Sequence, residues 1–306
     1  MILIAGLACA QNYPNKPVRI VTAGVGGGSD FAARLIAQGI SPGLGQQVIV
    51  ENRPSGVIPG ETVAKAVPDG YTLLVSSSVL WLEPLLQGHA PYDAVRDFSP
   101  VTLAAKSPNI LVVHPSLPVR SVKELIALAK AKPGQLNYAA GATGSSDHLA
   151  AELFKAMAGV DIVRVSYKTA ATRMADLVGG HVQLSFGSGG TVAAQVKAGR
   201  LRALAVTSAQ PSALLPDLPT VAASGVPGYE AIQILGVFAP AKTPAPLVSR
   251  LHREIVQALA HAGLKQKFLN SGVETVGSSP EQFAAVIQSD MAKWGKLVKT
   301  AGIRTE

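Results

Sequence analysis

A glycine-rich loop near the start of the chain has the residue types of an anion-binding site. It contains Gly24 and the glycines 26–28, and it follows Val18–Thr22, an apolar, β-branched run typical of a buried strand. Ser29 and Asp30 come next, and these residue types are expected to cap and start a helix. The first N–H groups of a helix have no partner within it, and glycines let a ligand approach the backbone closely. This combination predicts a site for an anion.

The same arrangement recurs near the middle of the sequence. Residues 136–139 predict a strand, residues 140–144 form a loop of small residues, and Ser145 begins a helix with His148 in its first turn. Two strand–loop–helix units of one design, far apart in sequence, predict two similar domains that face each other. Both loops are then expected at a shared cleft.

The order of predicted elements indicates an α/β fold. Strands at 47–51 and 71–77 enclose a helix that includes 62–67, and such alternation predicts a parallel sheet covered by helices. Two later strands, 110–113 and 232–238, are expected to cross between the domains. They would form a hinge, with the ligand at the carboxyl ends of both sheets.

This chain path predicts two lobes with defined limits. Lobe 1 is expected to comprise residues 13–112 plus 236–306, and lobe 2 residues 113–235. No internal repeat array and no low-complexity linker interrupts the sequence.

The composition fits a globular protein with one large core or two modest ones. Of 306 residues, 48% are hydrophobic and 15% charged, which excludes a disordered or fibrous chain. The net charge is +8, but only 5% of residues are aromatic and no run of Lys or Arg exceeds two. A nucleic-acid surface is therefore not expected.

Residues 1–10, "MILIAGLACA", have the pattern of the end of an export signal. Ala8 and Ala10 form an A-x-A site with cleavage expected before Gln11, although a buried N-terminal strand is an alternative. Export predicts a periplasmic protein. Cys9 is the only cysteine, so the mature chain would contain no disulfide and no zinc–thiolate site.

By these features the chain resembles a known family, the extracytoplasmic solute receptors of tripartite tricarboxylate transporters, often called Bug-type receptors. The resemblance covers roughly nine tenths of the sequence and rests on the order of many short segments rather than on one motif. These segments are "YPNKPVRIV" from Tyr13, "GGGSDFAARLIA" from Gly26, "LGQQVIVENRP" from Leu44, "VAKAVPDGYTLL" from Val63, "GSSDHLAAELFKAMAGVD" from Gly144 and "LPDLPTVAASGVPGYE" from Leu215.

The resemblance implies a type II periplasmic-binding-protein fold, with two α/β lobes joined by two crossover strands and a ligand cleft between them. It implies a protein that is not an enzyme, needs no cofactor and passes a small organic carboxylate to integral-membrane subunits. It also implies that two loops hold the ligand, and the expected binding residues are Gly26, Gly27, Gly28, Asp30, Ser77, Thr143, Gly144, Ser145, Ser146, His148, Tyr167 and Gln183.

Departures from the family pattern lie near the expected cleft. Residues 22–25 read T-A-G-V where the family usually has P-F-P-P, so the pocket is expected to be wider or the loop looser. Gln183 replaces a usual acid, and Tyr167-Lys168-Thr169 replaces Y-K-G. These changes leave the identity of the ligand open.

Enzymatic alternatives find weaker support in the residues. Gly24 and Gly26, with Glu51 at the end of the next strand, match part of a dinucleotide-binding fingerprint, but Ser29 stands where its third glycine belongs. Ser145 and His148 share a helix face, but Asp147 points elsewhere and cannot complete a hydrolase triad. A carboxylate sensor for a signalling partner stays open beside transport. We expect a monomer, with no metal site and no nucleic-acid partner.

Overall fold

The computed structural model describes residues 13–54, 57–87, 90–141, 143–212 and 215–301. The predicted export signal at 1–10 therefore lies outside the described residues, as does Cys9. Within the described residues, no helix combines the length and the hydrophobicity that a membrane span requires.

Strands occur at most of the positions that the apolar runs predict. They are β1 (Val18–Thr22), β2 (Val48–Asn52), β3 (Thr72–Ser77), β4 (Phe98–Val113), β5 (Asn137–Ala140), β6 (Val163–Ser166), β7 (Leu184–Ser188), β8 (Arg202–Val206), β9 (Ile232–Pro240) and β10 (Glu274–Thr275).

Helices alternate with these strands over most of the chain. They are α1 (Gly28–Leu44), α2 (Ile58–Ala64), α3 (Val79–Gln87), α4 (Val122–Ala131), α5 (Ser146–Ala158), α6 (Ala170–Val178), α7 (Gly189–Lys197), α8 (Ala245–Ala260), α9 (Ala262–Asn270) and α10 (Pro280–Ala301).

The strands form two sheets that share β4. In the first sheet the order is β2-β1-β3-β9-β4, with β10 also on β4; β1 is parallel to β2 and β3, whereas β9 is antiparallel to β3 and β4. In the second sheet β5 lies between β6 and β7 in parallel, and β4 is antiparallel to β7 and β8. The fold is α/β with two lobes, lobe 1 on the first sheet and lobe 2 on the second.

Strand β4 is the element that passes directly from lobe 1 to lobe 2. It pairs with β9 as far as Pro108 and with β7 from Asn109 onward. The return chain enters lobe 1 at Ile232, where β9 begins beside Pro108. The chain therefore changes sheet between residues 108 and 109 in β4, and it returns between residues 231 and 232. Both positions slightly precede the predicted lobe limits, 112/113 and 235/236, and those limits stay a proposal.

Strand β4 is much longer than the predicted 110–113. Its first part contains Pro100, Lys106 and Pro108, types that interrupt a strand pattern. The register shifts between Pro100 and Thr102 and again between Leu103 and Ala105, and such bulges accommodate the missing donor of a proline. The long antiparallel pairing with β9 thus keeps these residues in a strand, although their own preference for strand conformation is weak.

The apolar faces of the helices pack on the two sheets. Helices α1, α8 and α9 cover one face of the first sheet, where Ile36, Ile255 and Phe268 are fully or almost fully buried. On the opposite face Phe238 lies between the rings of Trp81 and Phe283. This packing fixes the starts of the helices relative to the strand ends, where the site lies.

Candidate functional site

One open cleft of about 650 Å³ lies between the two lobes, at the carboxyl ends of their strands. Its walls combine loop residues and helix starts from both sheets. They are lined by Gly24, Val25, Gly26, Gly27, Gly28, Ser77, Ser145, Ser146, Asp147, Tyr167, Lys168, Thr169, Ala170, Ala171, Arg173, Ser188, Thr191 and Gln233. Seven of the predicted binding residues are therefore brought together here: Gly26, Gly27, Gly28, Ser77, Ser145, Ser146 and Tyr167.

The first loop presents the N-terminus of α1 to the cleft without a side-chain cap. The N-cap is Gly27, in an extended conformation, so the prediction that Ser29 and Asp30 cap the helix was wrong. Gly26 adopts φ +84°, which favours glycine and turns the backbone into the helix. The N–H groups of the first turn are free of side-chain acceptors and can meet an anion.

Asp30 stabilises this loop from behind instead of facing the cleft. Its buried carboxylate accepts hydrogen bonds from the N–H of Gly26 (3.0 Å) and the amide of Asn52 (2.7 Å), and it pairs with Arg34. Burial by itself raises the pKa of Asp30, but these hydrogen bonds and the Arg34 charge outweigh it and hold the pKa below its usual value. Asp30 is a positioning residue, since its oxygens are already occupied.

The second loop repeats this design with a serine at the cap position. Ser145 is the N-cap of α5, but its hydroxyl does not cap the helix; it donates to the carboxylate of Asp147. The Asp147 carboxylate also accepts from the N–H of Gly141 (2.9 Å) and of His148 (3.0 Å). The first-turn N–H groups at Ser145 and Ser146 are thereby left for a ligand.

Three predicted binding residues of this loop lie behind it. The N–H of Gly144, at φ +81°, donates to Nδ1 of His148 at 3.1 Å. Burial, with a smaller effect of Arg164, lowers the pKa of His148 to about 4, so its ring is neutral and its Nδ1 is an acceptor. The hydroxyl of Thr143 accepts from Arg164 at 3.1 Å. The prediction that these residues contact the ligand is therefore not supported by their position; they shape the loop.

Gln183 was expected at the cleft, and the structure places it elsewhere. It precedes β7, and its side-chain oxygen accepts from the backbone N–H of Asn137 at 2.8 Å. The amino end of β7 lies away from the cleft, which Ser188 lines at the carboxyl end of the same strand. The correction could have been made from the sequence, because ligands in such folds bind at carboxyl ends.

Tyr167 and Ser77 are the remaining predicted residues, and both line the cleft. The phenol of Tyr167 donates to Asp176 at 2.8 Å. Burial and the Asp176 carboxylate raise the pKa of Tyr167 to about 12, so the phenol is neutral near pH 7. Ser77 ends β3, two residues before α3 begins at Val79.

Sequence reasoning missed a third helix start in the cleft. Ser188 is the N-cap of α7, its side chain does not cap the helix, and Thr191 in the first turn also lines the cleft. The signal was present, because β7 ends in Gly187-Ser188 and Gly189-Gly190 follow at the start of α7, the same strand–loop–helix pattern. The lining that was not predicted also includes the start of α6 and Gln233 of β9.

The arrangement of Ser145 and His148 does not provide a catalytic pair. The hydroxyl of Ser145 is bonded to Asp147, and Nδ1 of His148 accepts from Gly144. Nucleophilic catalysis requires a serine hydroxyl bonded to its histidine base. In the described part of the chain, no group of three or more His, Cys, Asp or Glu side chains is placed to hold a metal ion.

Comparison with known proteins identifies close relatives over the whole length. The profile of the family described as "Tripartite tricarboxylate transporter family receptor" matches residues 32–303. "UPF0065 protein in tcbD-tcbE intergenic region" from Pseudomonas sp. (strain P51) is 38% identical over 97% of this chain and 93% of its own. "Protein BugT" from Bordetella pertussis is 35% identical over 99% of this chain and 95% of its own.

Solved structures with the same fold include proteins with bound carboxylates. "R. palustris Rpa4515 with adipate" has a TM-score of 0.90 and 38% identity, over 95% of this chain and 99% of that one. "Structure of periplasmic binding protein BugD" has a TM-score of 0.87 and 31% identity, over 96% of this chain and 100% of that one. MatC from Rhodopseudomonas palustris "with bound malate" has a TM-score of 0.86 and 25% identity, over 94% of this chain and 100% of that one.

Proposed function

The chain belongs to the family of tripartite tricarboxylate transporter receptors, and we infer from this that its interlobe cleft captures a small organic carboxylate. The receptor passes the carboxylate to a tripartite transporter in the membrane and performs no chemistry on it. The family and its structural neighbours support a periplasmic location for this activity. An export signal at 1–10 and a monomeric receptor remain our proposals.

The observation that carries this function is the convergence of helix starts on one cleft. The N-caps Gly27 of α1, Ser145 of α5 and Ser188 of α7 line it, and none of them has a side-chain cap. Each N-terminus carries roughly half a positive charge and unpaired N–H donors. A small carboxylate accepts from such donors without a cationic side chain, as anions do at helix N-termini.

We propose direct ligand contacts for the predicted residues that line the cleft: Gly26, Gly27, Gly28, Ser77, Ser145, Ser146 and Tyr167. Asp30, Thr143, Gly144 and His148 contribute by fixing the two loops. Water bridges between loop amides and ligand would let one scaffold accept acids of different shape.

Closure of the lobes would couple binding to delivery. Donors from α1 lie on lobe 1, and those from α5 and α7 lie on lobe 2, so a single carboxylate satisfies both sets when the cleft narrows. The bound ligand therefore favours the closed state, with bending at β4 and at the start of β9. The closed form is the one that a membrane subunit would distinguish from the empty receptor.

A ligand screen by thermal unfolding tests this function. The full chain is heated with mono-, di- and tricarboxylates, and with NAD as the control for a dinucleotide site. We expect Tm to rise with one or more carboxylates, and not with NAD, because binding to the folded state alone stabilises it. Stabilisation by NAD alone, or hydrolysis of an ester substrate, would overturn the proposal.

A further inference from the structure

Both tryptophans of the chain donate their indole N–H to one carboxylate, that of Asp290 in α10. Nε1 of Trp81 lies 2.7 Å from Oδ2 of this carboxylate, and Nε1 of Trp294 lies 2.9 Å from Oδ1. Trp294 is on the same helix as Asp290, so its hydrogen bond stays within α10. Trp81 belongs to α3, so its hydrogen bond joins α3 to α10.

The same carboxylate contacts the residue at the turn into α3. The side chain of Ser78 also donates a hydrogen bond to Asp290, and the backbone oxygen of Ser78 accepts from Trp81 at 3.2 Å. Burial raises the pKa of Asp290, and the hydrogen bonds from both indoles and from Ser78 offset part of that effect. The turn into α3 is thus fixed to α10 through a partly buried carboxylate.

This turn is the point at which the chain leaves the cleft wall. Ser77 ends β3 and lines the cleft, and α3 begins two residues later. On the side of the sheet, Ser77 is held by its pairing with Leu235 of β9. On the side of the helix, the next fixed side chain is Trp81, which is fully buried against Phe238 and Phe283. The direction of the chain after Ser77 therefore depends on where Trp81 is held.

We propose, on the basis of the function above, that Asp290 is a positioning residue for the ligand, acting through Trp81 on Ser77 in the cleft wall. Asp290 and both tryptophans are absent from the described residues that line the cleft, so the ligand is not expected to contact them. A group that orients a binding residue from behind lowers the entropy lost when the ligand orders that residue. Coupling is reciprocal, so a ligand that contacts Ser77 changes the surroundings of Trp81.

Two matched variants separate this link from a general effect on stability. Trp81→Phe and Trp294→Phe each remove one indole donor from the same carboxylate, but the first breaks a bond between helices and the second a bond within one helix. The full-length proteins are titrated with succinate, malate, adipate and citrate by calorimetry. For the acid that the wild type binds best, we expect Trp81→Phe to lower the affinity about fivefold and Trp294→Phe to lower it less than about twofold.

Fluorescence gives a readout that a purely structural role would not change. Each variant keeps a single tryptophan, so its emission reports one indole. Saturation with the bound acid should shift the emission of Trp294→Phe, in which Trp81 remains, and should leave the emission of Trp81→Phe unchanged. No shift from Trp81, or an equal shift from Trp294, would overturn the proposal.

Asp290→Ala is the second test, in case Trp81→Phe is too unstable to purify. It removes the acceptor of both indoles, leaves Trp81 in its packing and places a good helix former in α10. We expect affinity to fall at least as far as in Trp81→Phe, with a cooperative thermal transition retained. Wild-type affinity in Asp290→Ala overturns this inference and leaves the proposed function standing. Absence of binding of all four acids to the wild type overturns the proposed function as well.

Discussion

The side-chain amide of Gln233 lies against Gly28, in the space that a side chain at position 28 would enter. A β-carbon on Gly28 would be 3.0 Å from Nε2 and 3.2 Å from Oε1 of Gln233. Gly28 is the first residue of α1, and Gln233 comes from β9 next to the point where the chain changes lobes. The absence of a side chain at Gly28 therefore allows a polar group from the start of β9 to reach the cleft.

The first prediction concerns this pair. Gly28→Ala should displace the Gln233 amide while the fold is retained, because the group it meets is the end of a flexible side chain. We expect carboxylate affinity to fall several-fold by calorimetry, and Gln233→Ala to have a similar effect. Gly295→Ala, where a β-carbon meets nothing within 4 Å, is the control for a general glycine effect. Unaltered affinity in both cleft variants would show that Gln233 does not contact the ligand.

A larger residue at Gly27 should abolish ligand binding without unfolding the protein. The backbone of Gly27 is in an extended conformation open to any residue, and a β-carbon there would meet only the Gly24 carbonyl, at 3.7 Å. We therefore expect Gly27→Leu to unfold at a temperature within a few degrees of wild type, yet to show no heat of carboxylate binding. Retained affinity would contradict the assignment of this loop to the ligand.

Asp30→Asn should destabilise the protein by about 1–3 kcal/mol, since the buried carboxylate is replaced by a neutral amide that accepts more weakly from the N–H of Gly26 and no longer pairs with Arg34. The pKa of Asp30 is lower in the folded state, so its stabilisation is present above the unfolded-state pKa and is lost as pH falls through the folded-state pKa. Urea unfolding at a series of acidic pH values should show that the variant loses less stability than the wild type as pH falls. The matched control is the exposed Asp217→Asn, for which we expect almost no change.

His148 should make stability depend on pH between about 6.5 and about 4. Its folded-state pKa of about 4 is below the unfolded value, because burial, Arg164 and Lys155 outweigh Glu152 and Asp147. The unfolded chain then binds the proton more readily, and stability falls as pH falls through this range. Over this pH range, His148 lowers the free energy of unfolding by about 3 kcal/mol in total.

The control for this effect is His148→Asn. Its side-chain oxygen can accept from Gly144 as Nδ1 does, but it does not titrate. Urea unfolding at a series of pH values should therefore give a smaller slope in the variant. Equal slopes would mean that other groups produce the acid sensitivity.

Gly236→Ala should be among the most destabilising single substitutions in lobe 1. A β-carbon at Gly236 in β9 would overlap the ring of Phe283 in α10, which is completely buried and cannot move aside. Overpacking of this kind costs about 1–3 kcal/mol. The shift in urea midpoint measures it, with Gly295→Ala, on the same helix as Phe283, as the control. A shift no larger than that of the control would contradict the rigid packing of β9 on α10.

The sequence by itself determined the local units and the family. The strand Val18–Thr22 was predicted with its observed limits, and both loops that line the cleft were located, because apolar runs and glycine or serine breaks are local signals. The family resemblance also supplied the two-lobed fold. Helices α3, α6, α7 and α9 were not predicted as such, since short segments carry weak periodicity.

The tertiary structure decided which side chains of those loops face the cleft. Asp30 and His148 lie two or three residues into their helices and turn back to bind backbone N–H groups of the loop, a choice that depends on burial and available partners. Likewise, only long-range pairing shows that β4 runs through both sheets and that Gln233 of β9 meets Gly28. Spacing in a sequence fixes neighbours along one element, whereas contacts between elements depend on packing of the whole fold.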